Sequence, residues 1–186
     1  MEYVKIGGEF PKLKRSAVTL GKFDGIHKGH RKLIEKILEQ KDQGAQSVVC
    51  AFEVSSQMLL SHKERAALLE KAGVDILMEC PLDEQIRHMK AESFVKEILV
   101  GEDYRFGFER KGTPALLKAL GERYGFAVDI LSKEMDGHRK ISSTYIREEL
   151  KRGNMEKITS LLGYDFFLDG VVEHGRGLGH KVLFPT

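Results

Sequence analysis

The stretch that most constrains this chain runs from Ser16 to Leu38, S-A-V-T-L-G-K-F-D-G-I-H-K-G-H-R-K-L-I-E-K-I-L. Ala17 to Leu20 is a short apolar run that reads as a buried strand. Gly21, Gly25 and Gly29 follow, and then Leu33, Ile34, Ile37 and Leu38 recur at helical spacing. Strand, glycine turn and helix together bring backbone N–H groups and a positive helix end up to a phosphate. His27 and His30 stand where that helix should begin. Three residues is nearly one turn, so both imidazoles can face one ligand.

The rest of the chain extends the same pattern. Tyr3 to Ile6 reads as an edge strand, Ser47 to Phe52 as a second buried strand after a helix closed by Gly44, and Val74 to Met78 as a third. Helices are expected over Lys63–Lys71, Ala91–Leu99 and Thr113–Tyr124, the last with Thr113 as N-cap and Pro114 at the first helical position. Phe126 to Leu131 makes a fourth strand. Such alternation predicts an α/β fold, a parallel sheet covered on both faces with its ligand at the carboxyl ends of the strands. The helix ending at Ile98-Leu99 runs straight into Val100-Gly101, which leaves no room for the strand an alternating fold would place there. Two short helices, Ser143–Lys151 and Met155–Leu162, are each stopped by glycine. Phe166 to Val172 then reads as a strand and the helical period is gone, so the domain boundary falls at Gly163, dividing 1–163 from 164–186.

The 186 residues carry a near-balanced charge of +2 with the two signs interspersed, which gives no footprint for nucleic acid or a membrane surface. No apolar run approaches the ~20 residues of a span, and the N-terminus lacks the apolar core of a secretion signal. Cys50 and Cys80 read as buried free thiols, so a cytoplasmic location is expected.

Three segments carry chemistry. In the first motif, G-K-F-D-G-I-H-K-G-H, glycines let the backbone approach phosphates and histidines donate to them; the bland alternatives are an ordinary turn and satisfied histidines. An H-x-x-H metal site lacks a third ligand at useful spacing. Gly101 to Gly112, G-E-D-Y-R-F-G-F-E-R-K-G, sets aromatics beside arginines, which can sandwich a planar ring and hold a phosphate or equally bury in a core. Ile141 to Arg147, I-S-S-T-Y-I-R, puts three hydroxyls at a helix start with an arginine one turn on, an anion cradle or a plain N-cap.

On these residues the chain resembles the HxGH nucleotidyltransferase superfamily, and more narrowly the adenylyltransferase half of bacterial bifunctional riboflavin kinase/FAD synthetases. The resemblance implies a Rossmann-like nucleotidyltransferase domain followed by the first strands of a small β-barrel. It implies nucleotide contacts at Gly21, Phe23, Asp24, Gly25, Lys28 and Gly29, catalytic roles for His27, His30 and Arg147, and phosphate contacts at Ser142, Ser143 and Thr144. Asp103, Arg105 and Phe106 match the family's flavin-binding G-x-D-F-R-F-G segment, with Tyr104 in place of Phe. Tyr145 stands where the family often has Arg. Glu53-Val54-Ser55-Ser56 replaces the family's D-P-H-P after the second strand, which weakens the expected flavin end of the site. Gly170 to Thr186 is similar to the opening of a riboflavin kinase barrel, in which Thr186 would contact magnesium, although Leu183 replaces an expected Gly; kinase activity is not expected of the chain as written.

The implied reaction is transfer of AMP from ATP to FMN, giving FAD and pyrophosphate, with Mg²⁺ bridging phosphates. The partners are small molecules (ATP, FMN and, in a parent protein, riboflavin), and the sequence does not set an oligomeric state. Two alternatives are an HxGH transferase with another phosphorylated acceptor and a non-catalytic flavin- or nucleotide-binding protein of the same fold.

Overall fold

The structure is a computed structural model that describes residues 1–6, 13, 15–52, 58–80, 97–101 (backbone only) and 113–171. Its strands are β1 (Glu2–Lys5), β2 (Ser16–Gly21), β3 (Gln46–Phe52), β4 (Ile76–Cys80), β5 (Glu97–Gly101) and β6 (Ala127–Leu131). They form one six-stranded sheet in the order β1-β4-β3-β2-β5-β6, and every pairing is parallel. A hairpin, β7 (Met135–Asp136) and β8 (Arg139–Lys140), stands apart from it. The helices are α1 (Lys28–Glu39), α2 (His62–Lys71), α3 (Pro114–Tyr124), α4 (Ser143–Arg152) and α5 (Met155–Leu162).

Because β2 and β3 are central and covered on both sides, their side chains divide by the strand's period of two. Ala17, Val49 and Ala51 pack with Ile34, Ile37 and Leu69 under α1 and α2. Val18, Leu20, Val48 and Cys50 pack with Leu117 and Phe126 under α3. Cys50 and Cys80 are free and fully buried, their sulfurs 2.7 Å apart across β3 and β4. A third cluster, including Tyr145, Ile146, Ile158, Leu161 and Leu162, joins α4 to α5.

Caps fix the helix limits. Ser61 and Glu64 form a reciprocal capping box at the head of α2, Thr113 accepts from Leu116 N–H ahead of Pro114, and Gly153 and Gly163 end α4 and α5 in the left-handed conformation. Gly44 caps a single 3-10 turn (Gln40–Gln43) that extends α1.

Two expectations are corrected. Residues 97–99 are strand, not the end of a helix: β5 itself fills the slot between β2 and β6, and its backbone pairs on both sides. That resolves the crowding at Val100-Gly101, since the apolar run expected to finish a helix is the missing strand. Phe166 to Val171 forms no ladder. An extended segment needs a neighbouring strand for its N–H and C=O groups, and among the described residues none lies alongside; Leu168 and Val171 are exposed. Val172 lies outside the described residues.

Candidate active site

From β2 the chain proceeds through β3 and β4 to one side of the sheet, then returns to lay β5 on the other side. The crevice at the carboxyl end of β2 is therefore the switch point, where open parallel sheets take their ligands. The turn from Lys22 to His27 sits there. It holds Phe23 at φ 47°, Gly25 at φ 83° and Ile26 at φ 36°, all in the left-handed region. At Gly25 a side chain would be strained and its Cβ would lie 2.8 Å from Leu59 Cδ1.

The turn ends in the N-cap of α1, which is His27 itself: its Nδ1 accepts the backbone N–H of His30 at 3.4 Å. That bond leaves Nδ1 unprotonated, so the proton of the neutral ring sits on Nε2. A Cβ at Gly29 would lie 3.3 Å from the His27 ring, so only glycine admits the ring there without displacement. The His27 and His30 rings stack, centroids 3.8 Å apart and planes 15° apart, and His30 also meets the buried ring of Phe23 at 4.9 Å. Burial lowers the His27 pKa to about 4. Burial, and then the charge of His27, hold His30 well below the usual histidine value. Both rings are therefore neutral at pH 7, each with an N–H to offer and no charge. His30 Nδ1 is buried with no partner among the described residues.

The opposite lip is the head of α4. Ser142 is its N-cap, accepting from Tyr145 N–H at 3.2 Å. Ser143 donates to the Asp24 carbonyl at 2.7 Å. The Asp24 carboxylate takes Leu59 N–H on one oxygen, at 2.6 Å, and pairs with Arg147 on the other. Asp24 thus ties the histidine turn to the second motif. Of the three hydroxyls, two already have structural partners, and Thr144 stands exposed at the rim.

These groups face one cleft of about 480 Å³. Gly21, Phe23, Asp24, His27, Gly29, His30, Ser142, Ser143, Thr144 and Arg147 all line it. Gly25 and Lys28 do not: the Gly25 carbonyl accepts the Tyr164 hydroxyl, and the exposed Lys28 lies over Gly163. Sequence reasoning missed the third wall, which includes Leu131, Lys133, Glu134 and Lys140. A signal was available, because residues that follow the carboxyl end of β6 must emerge on the same side of a parallel sheet as the glycine turn. Lys22, Lys133, Lys140 and Arg147 set four cations against two acids, Asp24 and Glu134, and Glu134 is already paired with Lys32 at 2.7 Å. The cleft suits a polyanion although the chain as a whole is near neutral. Asp103, Arg105, Phe106 and Thr186, as well as Glu53 to Ser56, lie outside the described residues.

A parallel sheet whose switch point carries buried imidazoles, a helix N-terminus and a cationic wall defines an α/β protein of the Rossmann-like class with a cleft suited to phosphate-bearing ligands. The profile of the FAD synthetase family matches residues 9–145, and the chain belongs to that family. It is 32% identical over 190 residues to the bifunctional riboflavin kinase/FMN adenylyltransferase of Escherichia coli (strain K12), covering 91% of this chain and 61% of that one. The Haemophilus influenzae protein of the same name is 32% identical over 196 residues, covering 94% and 63%. The chain thus spans less than two thirds of the length of these relatives. A crystal structure described as a macrolide-efflux protein from Streptococcus pneumoniae superposes with a TM-score of 0.80 at 30% identity, over 95% of this chain and 67% of that one. Among the described residues no helix is long and apolar enough to cross a membrane.

Proposed function

We propose that residues 1–163 transfer the AMP group of ATP to FMN, giving FAD and pyrophosphate, and that residues 164–186 begin a second domain. The observation that carries this reading is the single cationic cleft faced from two sides by His27/His30 and by Thr144/Arg147, in a chain of the FAD synthetase family.

In this reading an oxygen of the FMN phosphate attacks the α-phosphorus of ATP. A new P–O bond forms there, the bond to the α,β-bridging oxygen breaks, and pyrophosphate leaves with the electron pair. The FMN phosphate is already ionised at neutral pH, so no general base is needed. Catalysis then reduces to holding the phosphates in line and meeting the growing charge. His27 Nε2–H and His30 supply neutral donors that need no proton transfer, and Arg147 exchanges part of its contact with Asp24 for the polyphosphate. Lys133 and Lys140 add positive field from the third wall. Among the described residues no three His, Cys, Asp or Glu groups are placed to hold a metal. Magnesium enters this reading as part of the ATP substrate, neutralising its phosphates.

For the flavin we propose Asp103, Arg105 and Phe106. Val18 pairs with Ile98 and Thr19 with Leu99, and that register carried forward sets Gly101 level with Gly21. These residues follow within a few positions of that strand end. Riboflavin phosphorylation, part of the relatives' names, would require the second domain in full. The substrates named here suit a cytoplasmic enzyme.

The test is to incubate the protein with ATP, Mg²⁺ and FMN and separate the flavins by chromatography. FAD with stoichiometric pyrophosphate is expected. Tight FMN binding without FAD would replace the transferase by a binding protein, and turnover with another phosphorylated acceptor alone would change the substrate.

A further inference from the structure

The turn that presents the histidines is costly. Phe23 and Ile26 are non-glycine residues in the left-handed region, a strained conformation that persists only where its surroundings over-determine it. Part of that constraint comes from Ser143 and Asp24, already described. A further part comes from a place no motif marks, the two residues that follow α5. Tyr164 Oη donates to the Gly25 carbonyl at 2.7 Å, and Arg31 on the first turn of α1 donates back to the Gly163 carbonyl at 3.0 Å. The two bonds run in opposite directions between the same pair of segments, with Gly25 and Arg31 on either side of both histidines.

We propose that Tyr164 is a positioning residue for the histidine pair: with Arg31 it clasps the strained turn in the shape that sets both imidazoles in the cleft. The catalytic consequence rests on the nucleotidyl-transfer reading; the geometry does not. The ring packs against the α4–α5 cluster, a task phenylalanine would perform equally, so the hydroxyl is the part the turn uses. Burial pushes the phenol up to about 12, which keeps it a donor throughout the physiological range. Without that donor the peptide between Gly25 and Ile26 is free to rotate and relieve Ile26. His27 is the next residue, so its ring and its bond to His30 N–H move with that peptide. Small displacements of groups that touch a reacting phosphate are expensive in rate.

The experiment compares wild type with Tyr164→Phe, which keeps the packing. In the variant kcat for FAD formation should fall about tenfold while KM for ATP and FMN stays within about twofold. Amide hydrogen exchange should accelerate at residues 23–30 and remain unchanged in β3 and β4. Arg31→Gln opens the other half of the clasp and should give the same local pattern, which covers the case in which Tyr164→Phe does not fold. Unchanged exchange at the turn overturns the clasp whatever the rate does. Faster exchange there with unchanged kcat overturns the positioning role, and faster exchange throughout the sheet reduces Tyr164 to a packing residue. If wild type makes no FAD, the transferase reading fails separately, and exchange together with the imidazole NMR shifts of His27 and His30 still decides the clasp.

Discussion

Each imidazole in the turn has two nitrogens with different duties. His27 spends Nδ1 on the helix and has Nε2–H for a ligand, so His27→Ala should lose a cap and a donor together. His30 has no capping role. For His30→Ala we expect kcat to fall ~10²–10³, the usual cost of removing one charge-stabilising donor; steady-state FAD formation measures it, and a loss of only a few-fold would remove His30 from the chemistry. The hydroxyls separate in the same way. Ser142→Ala should cost about 1 kcal/mol of stability as a lost N-cap, read as a shifted urea midpoint, whereas Thr144→Ala should raise KM for ATP with the midpoint unchanged. The low pKa of His27 makes a pH prediction. The unfolded ring titrates near 6.5 and the folded one near 4, so between these values the unfolded chain binds more protons. Stability is therefore full above about pH 6.5 and declines as pH falls toward 4, by roughly 3 kcal/mol for this group. His27→Asn, which can still cap, should flatten that decline in urea melts at about pH 7.5 and about pH 5. The histidines were legible in the sequence because strand, glycines and helix lie together within a short stretch. Their partners were not: Asp24 meets Arg147 and Ser143 more than 110 residues away, and no local pattern announces a contact at that distance.

At the scale of elements, caps and periodicity placed most helices and strands within a residue or two, because N-cap hydroxyls, Pro114 and left-handed glycines act locally. Where the sequence misled, at residues 97–99, a short apolar run fitted a helix as well as a buried strand, and only the slot between β2 and β6 decides. Gly121, inside α3, shows a similar override of local preference. Replacing an interior helical glycine by alanine ordinarily stabilises by roughly 0.5–1 kcal/mol. Here a Cβ would stand 2.4 Å from the Phe126 carbonyl oxygen, so α3 packs onto the start of β6 through a bare backbone. Gly121→Ala should instead destabilise by about 1–3 kcal/mol, as overpacking does. Chemical denaturation gives the sign directly.

Across the whole molecule, one buried ion pair ties the layers together. Arg65 on α2 and Glu79 on β4 are both fully buried and paired; Tyr3 on the edge strand β1 donates to the same carboxylate, and His62 Nδ1 lies 2.7 Å from it. Arg65 also reaches the Lys22 carbonyl, at 3.4 Å, so the network touches the entrance of the histidine turn. Glu79→Leu should cost about 3–5 kcal/mol by leaving the guanidinium uncompensated, and adding Arg65→Met should recover most of it; thermal melts of the three proteins decide. Sequence alone does not reveal this, since an acid inside the apolar run I-L-M-E-C reads equally as an outward-facing residue.

The tie between Tyr164 and Gly25 spans 139 positions, and that separation has a consequence for how the protein is made. A chain leaving the ribosome exposes His27 and His30 early, with β2 and the beginning of α1. The hydroxyl that braces their loop is synthesised only after both closing helices. A nascent chain can therefore assemble much of its sheet while its histidine loop is still unbraced, and its chemistry would wait for the helices that follow the sheet.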